Sequence, residues 1–138
     1  MSVLAPRHES SRSSDVVLDA GALIALEGND RALWRRVKRA ATSGSTVATH
    51  GGIVAQVWRG GARQARLAMA LRAVVTVPLD DQLGRRAGVL LSRSGLSDAI
   101  DAALVALCDH DDEILTSDPD DLHALAQAAR LWVSVIPV

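Results

Sequence analysis

At 138 residues, 49% of them hydrophobic, the chain is long enough for one domain and carries ample apolar material for one core. A single cysteine, Cys108, excludes an intramolecular disulfide, and no apolar run reaches the roughly 18 residues of a membrane span. With three Trp but no Phe or Tyr, the core must be built from Ala, Val, Leu and Ile, the mixture of a helix-covered sheet.

Residues 1–14 are Ser-rich and polar and are expected to form a disordered tail without the apolar middle of a signal peptide, so the cytoplasm is the expected location. A single domain is expected over 15–138. DVVLDA reads as a first, buried strand closing on Asp19, followed by a short helix through Leu23 and Leu26. Asp30 is a fitting N-cap for RALWRRVKRAA, with Leu33 and Val37 inward, arginines outward and Gly44 as the stop. Thr46–Thr49 gives a second strand. Gly51–Gly52 leads into a short helix ending at Gly60–Gly61, and another helix covers 62–72.

Val74–Pro78 is the third strand, and Asp80 caps a helix to about Ser94 with Leu83 and Ala87 inward. Ser97 is the expected N-cap of SGLSDAIDAALVALCD, in which Cys108 reads as a buried small hydrophobe rather than a reactive thiol. Glu113–Ser117 forms a fourth strand, Asp118–Pro119 opens a helix, and WVSVIPV closes the chain as an edge strand. The order predicts a three-layer αβα sandwich around a parallel sheet of four to five strands.

Charge is segregated along the chain. Arg31 to Arg93 holds twelve basic residues and two acidic ones, whereas Asp98 to Asp121 holds nine acidic residues and no Lys or Arg. Solvated helix faces account for part of this; a carboxylate site flanked by a basic surface, suited to a polyanion, accounts for the rest. In parallel sheets ligands gather beyond the carboxyl ends of strands, and two strands here end in Asp19 and Asp118. Asp98 starts a helix, and Asp101 lies one turn on along the same face. Each has a bland reading as a helix-start acid, as do Asp120 and Asp121. Carboxylates about 5 Å apart repel by roughly 3 kcal/mol, so three together need a proton, a cation or a metal, and hard oxygen donors suit Mg²⁺ or Mn²⁺.

VVLDAGALIAL resembles the opening of PIN domains, and SGLSDAIDAALVALCDHDDEILTSDPDDL resembles their closing half. The stretch VAQVWRGGARQARLAMALRAV is similar to the middle of VapC-type toxins, so the resemblance runs from about Asp15 to Val138. It implies a metal-dependent ribonuclease, the toxin of a toxin–antitoxin pair, held in check by a VapB-like antitoxin and commonly dimeric. The matching positions are Asp19, Asp98 and Asp118 as catalytic and metal-binding acids, with Thr116 and Asp121 in support. Asp101 and Gln56 are further metal candidates, Gln56 standing where the family usually carries Glu. A glutamine carbonyl can coordinate a metal but adds no charge and cannot act as a base. The alternative reading is therefore a catalytically weakened PIN domain that binds RNA or protein. Arg59, Arg63 and Arg66 are candidates for RNA phosphate or partner contact, against an ordinary charged face. A phosphoacceptor receiver domain would need an acidic pair near the first strand and a late lysine, whereas the one lysine is Lys38; a dinucleotide fold would need GxGxxG.

Overall fold

Three-residue and four-residue strands, every one flanked by helices, set the architecture of the computed structural model, which describes residues 14–138. The expected disordered tail lies outside the described residues apart from Ser14, whose carbonyl accepts from Ser45 Oγ at 2.7 Å. In chain order the elements are β1 (Val16–Leu18), α1 (Ala20–Glu27), α2 (Arg31–Thr42), β2 (Val47–His50) and α3 (Gly51–Val57). A 3₁₀ turn (Ala62–Gln64), α4 (Ala65–Arg72), β3 (Val75–Val77), α5 (Asp81–Ser94) and α6 (Ala99–Ala106) follow. The chain closes with β4 (Glu113–Thr116), α7 (Pro119–Ala128) and β5 (Ser134–Pro137).

The five strands form one parallel sheet in the order β3-β2-β1-β4-β5, with Val17 opposite Ala48 on one side and Ile114 on the other. The chain moves outward from β1 to β3, then crosses back and moves outward again through β4 and β5. Strand order therefore reverses between β1 and β4, where parallel sheets open a crevice. Helix α1 packs with α2, α3 and α4, while α5, α6 and α7 pack on one another. Right-handed crossovers in opposite directions put such groups on opposite faces. The central strands are buried along most of their length because both faces are covered, and β1 is the unbroken apolar run VVL. The core is aliphatic: Leu18, Leu23, Leu26, Leu104, Ile114, Leu115, Leu122 and Leu125 are fully buried, as is Cys108 nearly so.

The helix starts at the Asp98 cap and at Gly51 differ from the sequence expectation, as do several strand ends by one or two residues. The α6 cap is Asp98 rather than Ser97: its Oδ1 accepts from Ile100 N at 3.0 Å and Asp101 N at 3.1 Å. Helix α3 starts at Gly51 itself, because the His50 imidazole caps it, and stops at Val57 rather than at the glycine pair. Gly60 and Gly61 instead form a turn at φ 83° and 91°, a conformation open to glycine. Buried Gln64 fastens that turn, its Oε1 accepting from Arg59 N and Gly60 N while its Nε2 donates to Val57 O.

Candidate metal-binding active site

The chain between β1 and α1 is bent so that Asp19 caps α1, its Oδ1 accepting from Ala22 N at 2.9 Å. Its second oxygen turns to β4, where Thr116 Oγ1 donates at 2.5 Å and Ser117 N at 3.3 Å. Asp19 is thus a buried carboxylate clamped across the β1–β4 switch point. Thr116 Oγ1 also accepts from Asp118 N at 2.8 Å, which turns the chain into α7. Asp118 stands at the N-cap position of α7 without a capping side-chain bond, so its carboxylate is not spent on the helix end. The close approach of the two loops depends on Gly21: a Cβ there would lie 2.0 Å from Ser117 Oγ and 2.4 Å from Ser117 Cβ.

Asp101, in the first turn of α6, is the point of convergence. One oxygen from each of Asp101, Asp118 and Asp121 lies within 4.8 Å of the other two. Burial pushes the Asp101 carboxyl up to about 7, and the charges of Asp98, Asp19, Asp118 and Asp121 add to that push. Asp101 therefore feels all four of the other acids. No Lys or Arg forms an ion pair with any of the five among the described residues; Arg36–Glu113 and Arg85–Asp81 lie elsewhere. Carboxylate oxygens so close, without a basic partner, fit a divalent cation that takes oxygen donors.

His50 fixes the helix that carries Asp101. Its Nδ1 accepts from Gly52 N at 3.0 Å, leaving Nε2 to donate to Ile100 O at 2.9 Å. The side chain is fully buried, and burial holds its pKa below the ordinary imidazole value, with the Ile100 bond acting the other way. A neutral histidine thus joins the start of α3 to the first turn of α6. Nothing local in the sequence marks His50, because its partner Ile100 lies fifty residues away.

The acidic run 98–121 divides by role. Asp112 is buried, its oxygens accepting from Asp15 N and Asp109 N, and Glu113 pairs with Arg36 at 3.0 Å. Asp101, Asp118 and Asp121 come together, and the charges of Asp98 and Asp19 also bear on the Asp101 carboxyl. Asp98 has one oxygen committed to its cap. Gln56 is exposed on α3 and makes no hydrogen bond to these acids among the described residues. Arg63 is exposed, Arg59 donates to Ala55 O and Trp58 O, and Arg66 donates to Glu27 O, which ties α4 to the end of α1.

A PIN domain family model matches residues 16–130, most of the chain. This protein is a member of the PIN domain family. Among curated proteins none matches its sequence. A solved structure with the same fold is the complex titled VapBC2 from Rickettsia felis bound to a DNA fragment from their promoter. One of its chains aligns at a TM-score of 0.63 and 12% identity, covering 87% of this chain and 97% of that one. In this PIN domain Asp101 of α6 meets Asp118 and Asp121 at the start of α7, and no described helix is long and apolar enough to cross a membrane.

Proposed function

We propose that this PIN domain is a metal-dependent endoribonuclease, the toxin of a toxin–antitoxin pair, acting in the cytoplasm. The observation that carries the reading is the unpaired carboxylate group around Asp101 at the switch point of the sheet. Asp101, Asp118 and Asp121 would hold Mg²⁺ or Mn²⁺, with Asp19 and Asp98 adding charge. The bound ion would supply a more acidic water and neutralise charge on the phosphodiester. The protein's own part is to keep these oxygens in place. Thr116 and Ser117 N orient Asp19, the Thr116 hydroxyl orients Asp118, and His50 holds the first turn of α6. Hydrolysis forms a bond from water oxygen to phosphorus, breaks one P–O ester bond and delivers a proton to the leaving oxygen.

RNA as substrate is supported by the basic surface outside the site. Helix α2 carries Arg31, Arg35, Arg36, Lys38 and Arg39, and phosphate attraction to such a surface is strong and falls with salt. Arg59, Arg63 and Arg66 extend the positive charge. A VapB-like antitoxin as partner, with the toxin as a homodimer, is supported by the fold shared with a chain of the VapBC2 complex. A groove of about 440 Å³ beside α2 and α4, with Trp34 and Met69 among Arg31, Arg35 and Arg66, offers an apolar floor and a basic rim to such a partner.

The test is cleavage of labelled single-stranded RNA with Mg²⁺ or Mn²⁺ titrated from zero, using Asp118→Asn as the control. Metal-dependent cleavage lost in the variant supports the reading; equal inertness of both proteins at saturating metal refutes it. Gln56→Glu in the same assay lowers the metal concentration at half-maximal rate if this position lies close enough to lend its charge.

A further inference from the structure

A second cleft lies at the opposite, amino-terminal end of the sheet, where no acid of the metal site reaches. It has a volume of about 750 Å³ and lies between the outer face of α7 and the loops entering β4 and β5. Its lining is mixed: the apolar Leu131, Trp132 and Val133 stand with Asp111, His123, Gln127, Arg130 and Ser134. Trp132 is 78% exposed, the most exposed large hydrophobic residue among those described. The indole is nevertheless held. The residue's backbone carbonyl accepts from Asp111 N at 2.6 Å, its backbone N–H donates to His110 Nδ1 at 3.1 Å, and the indole ring lies 4.9 Å from the His110 ring. An aromatic ring so anchored presents its area to solvent at little further ordering cost.

We infer that this cleft is a nucleobase-binding site for single-stranded RNA, gripping the strand at a distance from the metal-binding acids. The inference rests on the nuclease reading for its connection to the active site, but the binding itself stands on the cleft. Three features favour a base over a protein partner. The ring stands among hydrogen-bonding groups, with the Asp111 carboxylate and Gln127 amide suited to a base edge and Arg130 to a phosphate. The cores of protein interfaces are depleted in charge, whereas Asp111 and Arg130 both line this cleft. Second, stacking on one aromatic face is how single-stranded nucleic acid is commonly held. Third, α7 connects the two places: His123 and Gln127 line the cleft, and the N-terminus of the same helix bears Asp118 and Asp121. A ten-residue helix spans about 15 Å, the reach of about four stacked nucleotides.

The experiment uses the full chain and a labelled single-stranded RNA of about twelve nucleotides, with binding read by anisotropy in EDTA and cleavage read separately with Mg²⁺. Trp132→Ala is expected to weaken metal-free binding by about tenfold, within the range that removing an aromatic stacking partner gives, whereas Trp132→Phe retains most of it. In the Mg²⁺ assay Trp132→Ala raises KM for the same RNA and leaves kcat in place. Equal affinity of wild type and Trp132→Ala overturns the inference. So does a change in oligomeric state by sedimentation with RNA affinity unchanged, which would make the patch a protein interface. If RNA is never cut but binding still depends on Trp132, the nuclease reading fails and the cleft stands. Metal-dependent cleavage with Trp132→Ala indifferent in both assays gives the reverse.

Discussion

Replacing Asp101 with Asn should stabilise the metal-free protein above neutral pH while removing its response to metal. The Asp101 carboxyl is raised from 3.8 to about 7, first by burial and then by Asp98, Asp19, Asp118 and Asp121. Because the folded value is the higher one, the folded state holds a proton that the unfolded chain has lost between about pH 4 and 7. Stability from this group is full below about pH 4, declines through that window and levels off above 7. A shift of that size corresponds to at most about 4 kcal/mol, and the partial solvent exposure of the carboxyl reduces it to about 1–2 kcal/mol. For a domain of this length that is roughly 3–8 °C in Tm. Thermal melts of wild type and Asp101→Asn in EDTA from pH 5 to 8.5 read the effect directly. The variant should already melt slightly above wild type near pH 5, and the gap should widen to several degrees by pH 8. Excess Mn²⁺ should then raise the wild-type Tm and leave the variant unmoved. A variant less stable than wild type at pH 8, or parallel pH profiles, would refute a charge-crowded Asp101.

Gly21→Ala places a methyl into Ser117 and should cost about 1–3 kcal/mol by chemical denaturation, with a fall in any metal-dependent cleavage larger than the fall in folded fraction. Thr116→Val removes the hydroxyl that bridges Asp19 Oδ2 and Asp118 N; a loss of about 1–3 kcal/mol and weaker Mn²⁺ binding by calorimetry are expected. His50→Ala leaves Ile100 O and Gly52 N without their side-chain partner and opens a cavity, costing about 2–4 kcal/mol in urea melts near neutral pH. Since the folded pKa of His50 is lowered, its contribution is present above about pH 6.5 and fades as pH falls, so the deficit of the variant should shrink toward pH 5.

The fold was legible because its signals are local and repeated. VVL is an unbroken apolar run followed by Asp19, EILT holds an apolar pair followed by Thr116 with Asp118 beyond, and Asp30 and Asp80 cap the helices expected of them. Candidate acids could be read off the ends of elements for the same reason. Their final grouping could not, since it depends on which way each side chain leaves its helix. Asp98 and Asp101 are equivalent by spacing, yet Asp98 turns one oxygen back to its own backbone while Asp101 points to Asp118 and Asp121. His50 and Gln64 were invisible to pattern reading because their partners, Ile100 and the Arg59–Gly60 backbone, are fixed only by tertiary packing or a local turn. Trp132 read as part of the last strand and stands instead in the loop before it, exposed.

The central claim is that the carboxylates around Asp101 bind a divalent metal that RNA cleavage requires. The most direct measurement is Mn²⁺ binding by electron paramagnetic resonance, with cleavage of a labelled RNA followed in the same samples, for wild type, Asp101→Asn and Asp118→Asn. The account predicts that occupancy and cleavage rise together in the wild type and that each variant loses both. Tight Mn²⁺ binding retained in both variants, or cleavage unchanged without added metal, would contradict it.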